Sequence, residues 1–387
     1  MSVFIHHIDT AVPEISYKQE FIRDLMKANV SDKRAVKSLI HRIYNHSSIK
    51  KRHSVIYDFN LNGYPPVFFD EDGKALPAAS TKTRNEVYMR EAKSLYCNLA
   101  EKTIFKALGF GKKDITHVIT VSCTGFFAPG PDYYIVKELG LKESTQRFHI
   151  GFMGCYAAFP ALKMAKAFCE ADPDAVVLVV SLELCTLHLQ MKENLDFIIS
   201  GSVFADGAAS ALVSARKPDK ETRSLAISHL GTDITPTGEE DMAWTIGDTG
   251  FDMILSTYVP DIIKTNVKAI IEKQLGAANI NGNDIAHWAI HPGGRAILDK
   301  IQHSIDLQDS QIASSRKVLS EYGNMSSATI LFVLKDALAN LNSTNNSQNL
   351  IAMAFGPGLT IETGIFEALV PQTSASSTFK ALSQKGD

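Results

Sequence analysis

Hydrophobic and polar positions along this chain change period in a pattern that occurs twice. Residues 3–8 form a short apolar run suited to a strand, and residues 17–26 and 35–44 carry apolar positions at helical spacing. Residues 59–79, rich in Pro, Gly and Asp, read as a loop before a helix over 83–108. A helix end (100–110), a strand (114–120) and the turn Cys123-Thr124-Gly125 then appear. The same sequence of elements returns at 269–275, 284–290 and His291-Pro292-Gly293-Gly294, displaced by 284 − 114 = 170 residues. At that displacement the stretch around Cys155 falls on Gly323-Asn324-Met325-Ser326-Ser327-Ala328. Each is a glycine-bearing turn that feeds a helix (156–170 and 327–340) and then a hydrophobic strand (175–181 and 350–355). The chain therefore reads as an α/β protein of two duplicated halves, 1–222 and 223–387. The near-continuous apolar strands predict buried, largely parallel sheets with helices outside and between them.

Two such halves facing each other place equivalent turns side by side. Cys155 and Asn324 should meet on the pseudo-twofold axis, and His291 should arrive from the turn equivalent to Cys123-Thr124. Cys155 follows an apolar approach and Gly154, at a strand-to-helix turn near the positive end of a helix dipole, which favours thiolate over thiol. Taken alone it could equally be a buried core cysteine. Next to a histidine it can exist as a thiolate–imidazolium pair reactive towards thioesters. His291 and the neutral amide of Asn324 together suit an oxyanion hole for a thioester carbonyl or an enolate. On their own, the first would be a structural histidine and the second a turn or capping residue. His287 and His291, four residues apart on a strand, lie about 13 Å from each other, too far to share a metal.

Composition narrows the class. The 387 residues are 45% hydrophobic and 21% charged, ample for a large layered core. A net charge of -3 indicates no bulk attraction to nucleic acid or membrane. Five cysteines without a CxxC pair point to reduced thiols rather than a disulfide scaffold or zinc knuckle. The N-terminus shows no signal-peptide pattern and no apolar run reaches spanning length, so a cytoplasmic protein without membrane insertion is expected. The basic run Lys50-Lys51-Arg52 reads by itself as a solvated surface.

Four separated motifs carry a resemblance: Gly154-Cys155-Tyr156-Ala157, His291-Pro292-Gly293-Gly294, Tyr322-Gly323-Asn324-Met325-Ser326 and 355–362, FGPGLTIE. In order and spacing they resemble the type III polyketide synthases, the chalcone-synthase-like enzymes, over nearly the whole chain. The resemblance implies a thiolase-like fold with αβαβα layering and a homodimer. It also implies CoA thioesters as substrates, with no further cofactor. Cys155 would take an acyl group from an acyl-CoA starter, and malonyl-CoA would lose CO2. Its enolate, held by His291 and Asn324, would then attack the bound acyl group. Several rounds would precede cyclisation to a pyrone, resorcinol or phloroglucinol-type product.

Phe204 matches the family's gatekeeping phenylalanine between CoA tunnel and cavity. An apolar ring there disfavours the malonyl carboxylate and favours loss of neutral CO2; its ordinary alternative is core packing. Cys123, Thr124, Cys185, His188, Trp244, Met253, Ser326, Gly356 and Pro357 fall at substrate-contacting positions. Arg42 matches an arginine that meets CoA phosphates, and the resemblance implies that Lys50 and Arg52, in a shared basic run, bind CoA as well. The chain departs from the plant pattern at His46 (lysine), Met253 (a second gatekeeping phenylalanine), Trp244 (glycine), Cys123, Cys185 and His188 (threonines) and Ala354 (glycine). Trp244 and His188 should reshape the pocket. Cys123, Thr124, Ala128 and Cys185 look more like bacterial members, some of which lead a fatty acyl starter through an extra tunnel.

The alternative with the same fold is a single-round condensing enzyme of the ketoacyl synthase III or hydroxymethylglutaryl-CoA synthase type. A papain-like hydrolase also uses Cys, His and Asn, but the surroundings of Cys155 lack its pattern. A non-catalytic partner subunit of the same fold would be expected to lack the nucleophile.

Overall fold

The computed structural model describes residues 1–60, 66–70, 72–341 and 347–371. The expected 59–79 loop lies partly outside these, at 61–65 and 71. Its described part is tied down by Asp58, whose Oδ2 accepts the N–H groups of Val67, Phe68 and Phe69 at 2.6–3.0 Å.

The strands, in chain order, are β1 (Phe4–Ala11), β2 (Ser16–Lys18), β3 (Lys51–His53), β4 (His117–Ser122), β5 (Gln146–Gly151), β6 (Val176–Leu184) and β7 (Asp206–Ser214). They continue with β8 (Ser224–Ile234), β9 (Met242–Gly247), β10 (Gly250–Leu255), β11 (Ile285–Ile290), β12 (Ser347–Gly356) and β13 (Thr360–Leu369). Nine of them form one sheet in the order β11-β12-β13-β8-β1-β7-β6-β4-β5; β9 with β10 and β2 with β3 make separate ribbons. The order is mirrored about the β1–β8 junction. β1, β7, β6 and β4 on one side correspond to β8, β13, β12 and β11 on the other. The junction itself holds only two residue pairs, Phe4 with Ala226 and Ile5 with Leu225.

The sheet is not largely parallel as expected. Only β4–β5, β4–β6 and β11–β12 are parallel; the pairs toward the junction are antiparallel. Connection length decides this. β12 reaches β13 through Pro357-Gly358-Leu359 alone, too short for the crossover that parallel strands need. Apolar runs do not encode direction: β6, buried at every position, has a parallel neighbour on one side and an antiparallel one on the other.

The two helices after the glycine-bearing turns are Ala158–Ala171 and Thr329–Asn340. Phe159, Leu162, Leu331 and Leu334 from these helices share one core with residues of β1, β4, β7 and β8, which makes the pair the central layer. Each fully buried Leu or Phe contributes roughly 1.5–3 kcal/mol through removal of apolar surface from water. Both helices start two residues later than the pattern suggested, because residues between turn and helix form tight turns: Ala157 N–H donates to Gly154 O at 3.1 Å, and Ser326–Ala328 is a 3-10 turn. The helix Thr81–Lys106 packs on the outside of the first half, against β1, β6 and β7. The helix Val259–Ala278 packs on the outside of the second, against β8 and β13.

Candidate active site

The duplication delivers its turns to one place. Past β4 comes the turn at Cys123 and Thr124, past β5 comes Cys155, and past β11 comes His291, whose N–H is held by Met353 O at 2.8 Å. Asn324 follows the helix Ala313–Tyr322, and its backbone is clamped to the segment before β7: Asn324 N–H donates to Val203 O and Ala205 N–H to Asn324 O, both at 2.8 Å. Phe204 lies between these two bonds, so its backbone and that of Asn324 are tied together. Gly154 has φ +86°, a conformation L side chains rarely adopt, and a Cβ there would stand 2.6 Å from Pro357 Cδ. Glycine thus lets the Gly356-Pro357 loop close against the Cys155 turn.

Cys155, His291 and Asn324 line a single cavity, as the repeat predicts. Asn324 Oδ1 accepts Ser326 N–H at 2.8 Å, which fixes the amide and turns Nδ2 towards Gly293 O at 3.3 Å. Neither ring nitrogen of His291 has a hydrogen-bond partner although the side chain is buried, so both face unmet bonding capacity. Burial pushes His291 down to about 3 and the Cys155 thiol up to about 11, the Ser326 and Asn324 side chains opposing the latter only in part. Burial thus works against the charged form of both groups, and desolvation opposes the helix dipole at Cys155.

The cavity wall is almost wholly apolar, with room for the centres of water-sized groups over about 40 Å³. Phe204, Met253, Trp244 and Cys185 separate it from a second chamber. Trp244 stands on β9 and Met253 opposite it on β10. The Trp244 indole donates to Cys123 O at 2.9 Å, and the ring packs edge-on against Phe251 at 5.7 Å and His188 at 5.5 Å.

Cys123, Thr124, Ser326 and Pro357 also line the cavity that holds Cys155, His291 and Asn324. Gly356 is packed against the Tyr156 ring and the Cys155 backbone. His188 faces the second chamber and is fully bonded. One nitrogen donates to Thr124 O at 2.8 Å and the other accepts Phe251 N–H at 3.0 Å, while burial takes it down to about 3. His188 is thus a neutral pin between the Thr124 turn and the β9–β10 hairpin.

The basic residues separate. Arg42 is exposed, with no ion pair among the described residues, and Lys50 is exposed and bridged to Glu321 at 3.3 Å. Arg52 is 3% exposed. Its Nη1 donates to Phe204 O at 2.6 Å and its Nε to Gln19 Oε1 at 2.9 Å. The expectation that Arg52 binds CoA is corrected: it alternates with less buried neighbours on β3 and points inward, where it holds the Phe204 carbonyl.

Glu183 was missed. It is fully buried near the end of β6 and accepts Cys123 N–H at 2.9 Å, Thr124 Oγ1–H at 2.8 Å and the Ser327 hydroxyl, so it ties the turn of one half to the helix entry of the other. A lone carboxylate at the end of an otherwise apolar strand was the available signal. Asp206 does similar work one strand over, accepting Thr186 N–H, Val55 N–H and Thr186 Oγ1–H at 2.6–2.8 Å.

Among the described residues no His, Cys, Asp or Glu side chains group into a metal site, and no helix is long and apolar enough to cross a membrane. The family models for the N-terminal and C-terminal domains of chalcone and stilbene synthases match residues 2–217 and 227–370. A probable polyketide synthase 1 of Dictyostelium discoideum is 28% identical over 371 residues; the match takes in 93% of this chain but 11% of that much longer protein. The polyketide synthase PKS-I of the brown alga Ectocarpus siliculosus superposes with a TM-score of 0.86 at 28% identity, covering 95% of this chain and 98% of the other. The C-terminal type III polyketide synthase domain of Steely1, a type I/III hybrid from Dictyostelium, gives 0.82 at 27% identity, covering 96% and 100%. The 1,3,6,8-tetrahydroxynaphthalene synthase of Streptomyces coelicolor A3(2) gives 0.82 at 26% identity, also covering 96% and 100%. With both halves matched and the thiolase-like fold shared from end to end, this chain belongs to the chalcone and stilbene synthase family.

Proposed function

We propose that the chain is a type III polyketide synthase that extends an acyl-CoA starter by repeated decarboxylative condensation with malonyl-CoA and then releases a cyclised product. The observation that carries this reading is the buried His291 with two unpartnered ring nitrogens, beside Asn324 and Cys155 in one apolar cavity.

In the loading step the Cys155 sulfur attacks the starter thioester carbonyl, His291 takes the thiol proton, and the CoA thiol leaves with that proton. Malonyl-CoA then places its carboxylate against Phe204, where charge is poorly solvated. The C–C bond breaks, neutral CO2 departs, and the electron pair becomes an enolate. The neutral imidazole N–H and the Asn324 amide donate to the enolate oxygen, and preorganised donors in a dry cavity need no reorientation as the charge develops. The enolate carbon attacks the Cys155 thioester, the thiolate leaves, and the longer chain, now on CoA, returns to Cys155 for the next round. CoA thioesters are the only cofactor-like molecules this cycle requires. Arg42 and Lys50 meet the CoA phosphates from the surface.

A homodimer is part of the reading. β5 is the outermost strand of the sheet, paired on one side only, with Gln146, Arg147 and His149 exposed, and such an edge invites pairing with a second copy. Cytoplasmic residence fits the five free cysteines.

The test is incubation of the purified protein with malonyl-CoA and acetyl-, hexanoyl-, palmitoyl- or coumaroyl-CoA, with products read by mass spectrometry. Cyclised products from more than one extension are expected. Hydrolysis or a single condensation with every starter refutes the iterative reading in favour of a single-round enzyme.

A further inference from the structure

A separate pocket lies between residues 67–68 and 75–79 on one side and the segment 189–192 on the other, with room for water-sized centres over about 210 Å³. It shares no lining residue with the cavity at Cys155. Its outer wall is held by Asn29, the last residue of the helix Gln19–Asn29: Oδ1 accepts Ala75 N–H at 2.9 Å and Nδ2 donates to Gly73 O at 3.2 Å. Val67, Phe68, Leu76, Pro77 and Met191 make much of the lining apolar. Two cations, Arg84 and Lys192, also line it, and no Asp or Glu does among the described residues.

Lys192 has a carboxylate nearby, that of Asp252 at 3.7 Å. Arg84 has none in ion-pair contact among the described residues, although it is 2% exposed. Its Nε donates to Ala79 O at 2.9 Å, and its Nη1 donates to Leu187 O and, at 2.9 Å, to Leu189 O. The Phe68 ring covers one face of the guanidinium, its centroid 4.6 Å from Cζ. Burial pushes Arg84 down to about 10, which leaves it cationic at neutral pH. The two N–H groups on Nη2 make no hydrogen bond among the described residues, and the atom is not sealed from solvent.

A buried cation without a counter-charge is costly, and its unspent donors mark a place for an acceptor. The form of that acceptor follows from what Arg84 has already committed. With Nε and Nη1 bonded to carbonyls, Nη2 cannot join either in the two-nitrogen fork that holds phosphate. A dianion against these apolar walls would stay poorly compensated. A single negative charge on an apolar body answers both the donors and the walls.

We propose that this pocket binds a small free organic carboxylate, its head on Arg84 Nη2 and its apolar body against Phe68 and Leu76, at a site distinct from the cavity that holds Cys155.

The experiment titrates the purified protein at pH 7 with benzoate, with its neutral isostere benzamide and with inorganic phosphate, by calorimetry. The proteins are the wild type, Arg84→Gln and Ala78→Trp. The last fills the pocket from its rim and leaves the guanidinium in place. The wild type should bind benzoate tighter than benzamide by about 10-fold or more, as expected of a hydrogen bond from a charged donor. Phosphate should bind more weakly than benzoate. The preference for benzoate should vanish in Arg84→Gln, and Ala78→Trp should weaken benzoate itself by a similar factor. Should Arg84→Gln fail to fold, Ala78→Trp decides alone. Absence of saturable benzoate binding, or parity with benzamide in the wild type, means that Nη2 meets only water and overturns the proposal. Phosphate binding as tight as benzoate overturns the apolar part of the assignment. Benzoate binding unchanged in Ala78→Trp places the anion elsewhere on the protein and overturns the site.

Discussion

Trp244 stands where the plant pattern has glycine, and replacing it tests whether the partition sets product size. In Trp244→Ala the indole loses its bond to Cys123 O and two edge-on ring contacts. Truncating a large buried aromatic typically costs 3–5 kcal/mol, and Trp244, being only partly buried, should fall near about 3 kcal/mol. A residual space on the order of 100 Å³ accounts for about 2.4 kcal/mol of that cost at roughly 24 cal/mol per Å³, the remainder being lost transfer free energy. The space joins two chambers that now offer about 40 and 30 Å³ to water-sized centres. At the roughly 30 Å³ that a water-sized group occupies, this accommodates about one further three-atom ketide unit. Product mass spectra with acetyl-CoA and hexanoyl-CoA should therefore shift towards one extra extension, while thermal unfolding moves down by several degrees. Trp244→Phe, which keeps a ring, should stay close to the wild-type product. If Trp244→Ala acylates Cys155 normally and gives an unchanged product spectrum with both starters, the indole does not limit the cavity and the volume reasoning is wrong.

Three further outcomes are expected. Cys155→Ala should form no acyl-enzyme, and alkylation of wild-type Cys155 by iodoacetamide should accelerate steadily from pH 7 to pH 10, because burial pushes the thiol up to about 11; a rate already level at pH 7 would show a resting thiolate instead. Asp206, pushed up by burial to about 7 from 3.8, holds its proton in the folded state at pH values where the unfolded chain has released it. Its contribution to stability should thus be fully present below about pH 4 and be lost, by up to about 4 kcal/mol, as pH rises towards and through 7. Asp206→Asn should flatten that part of a urea-denaturation pH profile, and an unaltered slope would contradict the assignment. Arg42→Ala should raise KM for both CoA substrates by about 3–10-fold at low salt, less at high salt, with kcat little changed; an equal rise for a pantetheine thioester, which lacks the nucleotide phosphates, would rule out phosphate contact.

The duplication was legible because each half repeats the same alternation of strand, turn and helix, and the turns carry the chemistry. From it alone, Cys155, His291 and Asn324 could be brought to one cavity before any distance was known. Strand direction was not legible, since a fully buried strand such as β6 has the same apolar run whichever way its neighbours point. Arg52 was misplaced for a related reason. In Lys50-Lys51-Arg52 three like charges read as one surface patch, but alternate side chains of a strand face opposite ways, and Arg52 faces in. Glu183 was overlooked because its role is defined only by its partners, Cys123, Thr124 and Ser327, which lie far from it in sequence.

The burial that disfavours charge on Cys155 and His291 follows from where the duplication puts them, and on the proposed function it suits the chemistry better than a permanent ion pair. A cavity dry enough to expel a malonyl carboxylate as CO2 also withdraws solvation from a thiolate and an imidazolium. The same wall, Phe204 and the apolar residues around it, cannot favour one and spare the other. A charged imidazolium held by a thiolate would also have a donor committed to that thiolate. A neutral His291 with two unpartnered nitrogens keeps one to take the Cys155 proton during loading and one N–H to give to the enolate during extension. The thiolate then need exist only when Cys155 is attacking or leaving. On the proposed function this favours iteration: if charge appears on Cys155 only during transfer, each round returns the cavity to the same uncharged state, ready for the next malonyl unit until the walls set by Trp244 and Met253 stop the chain.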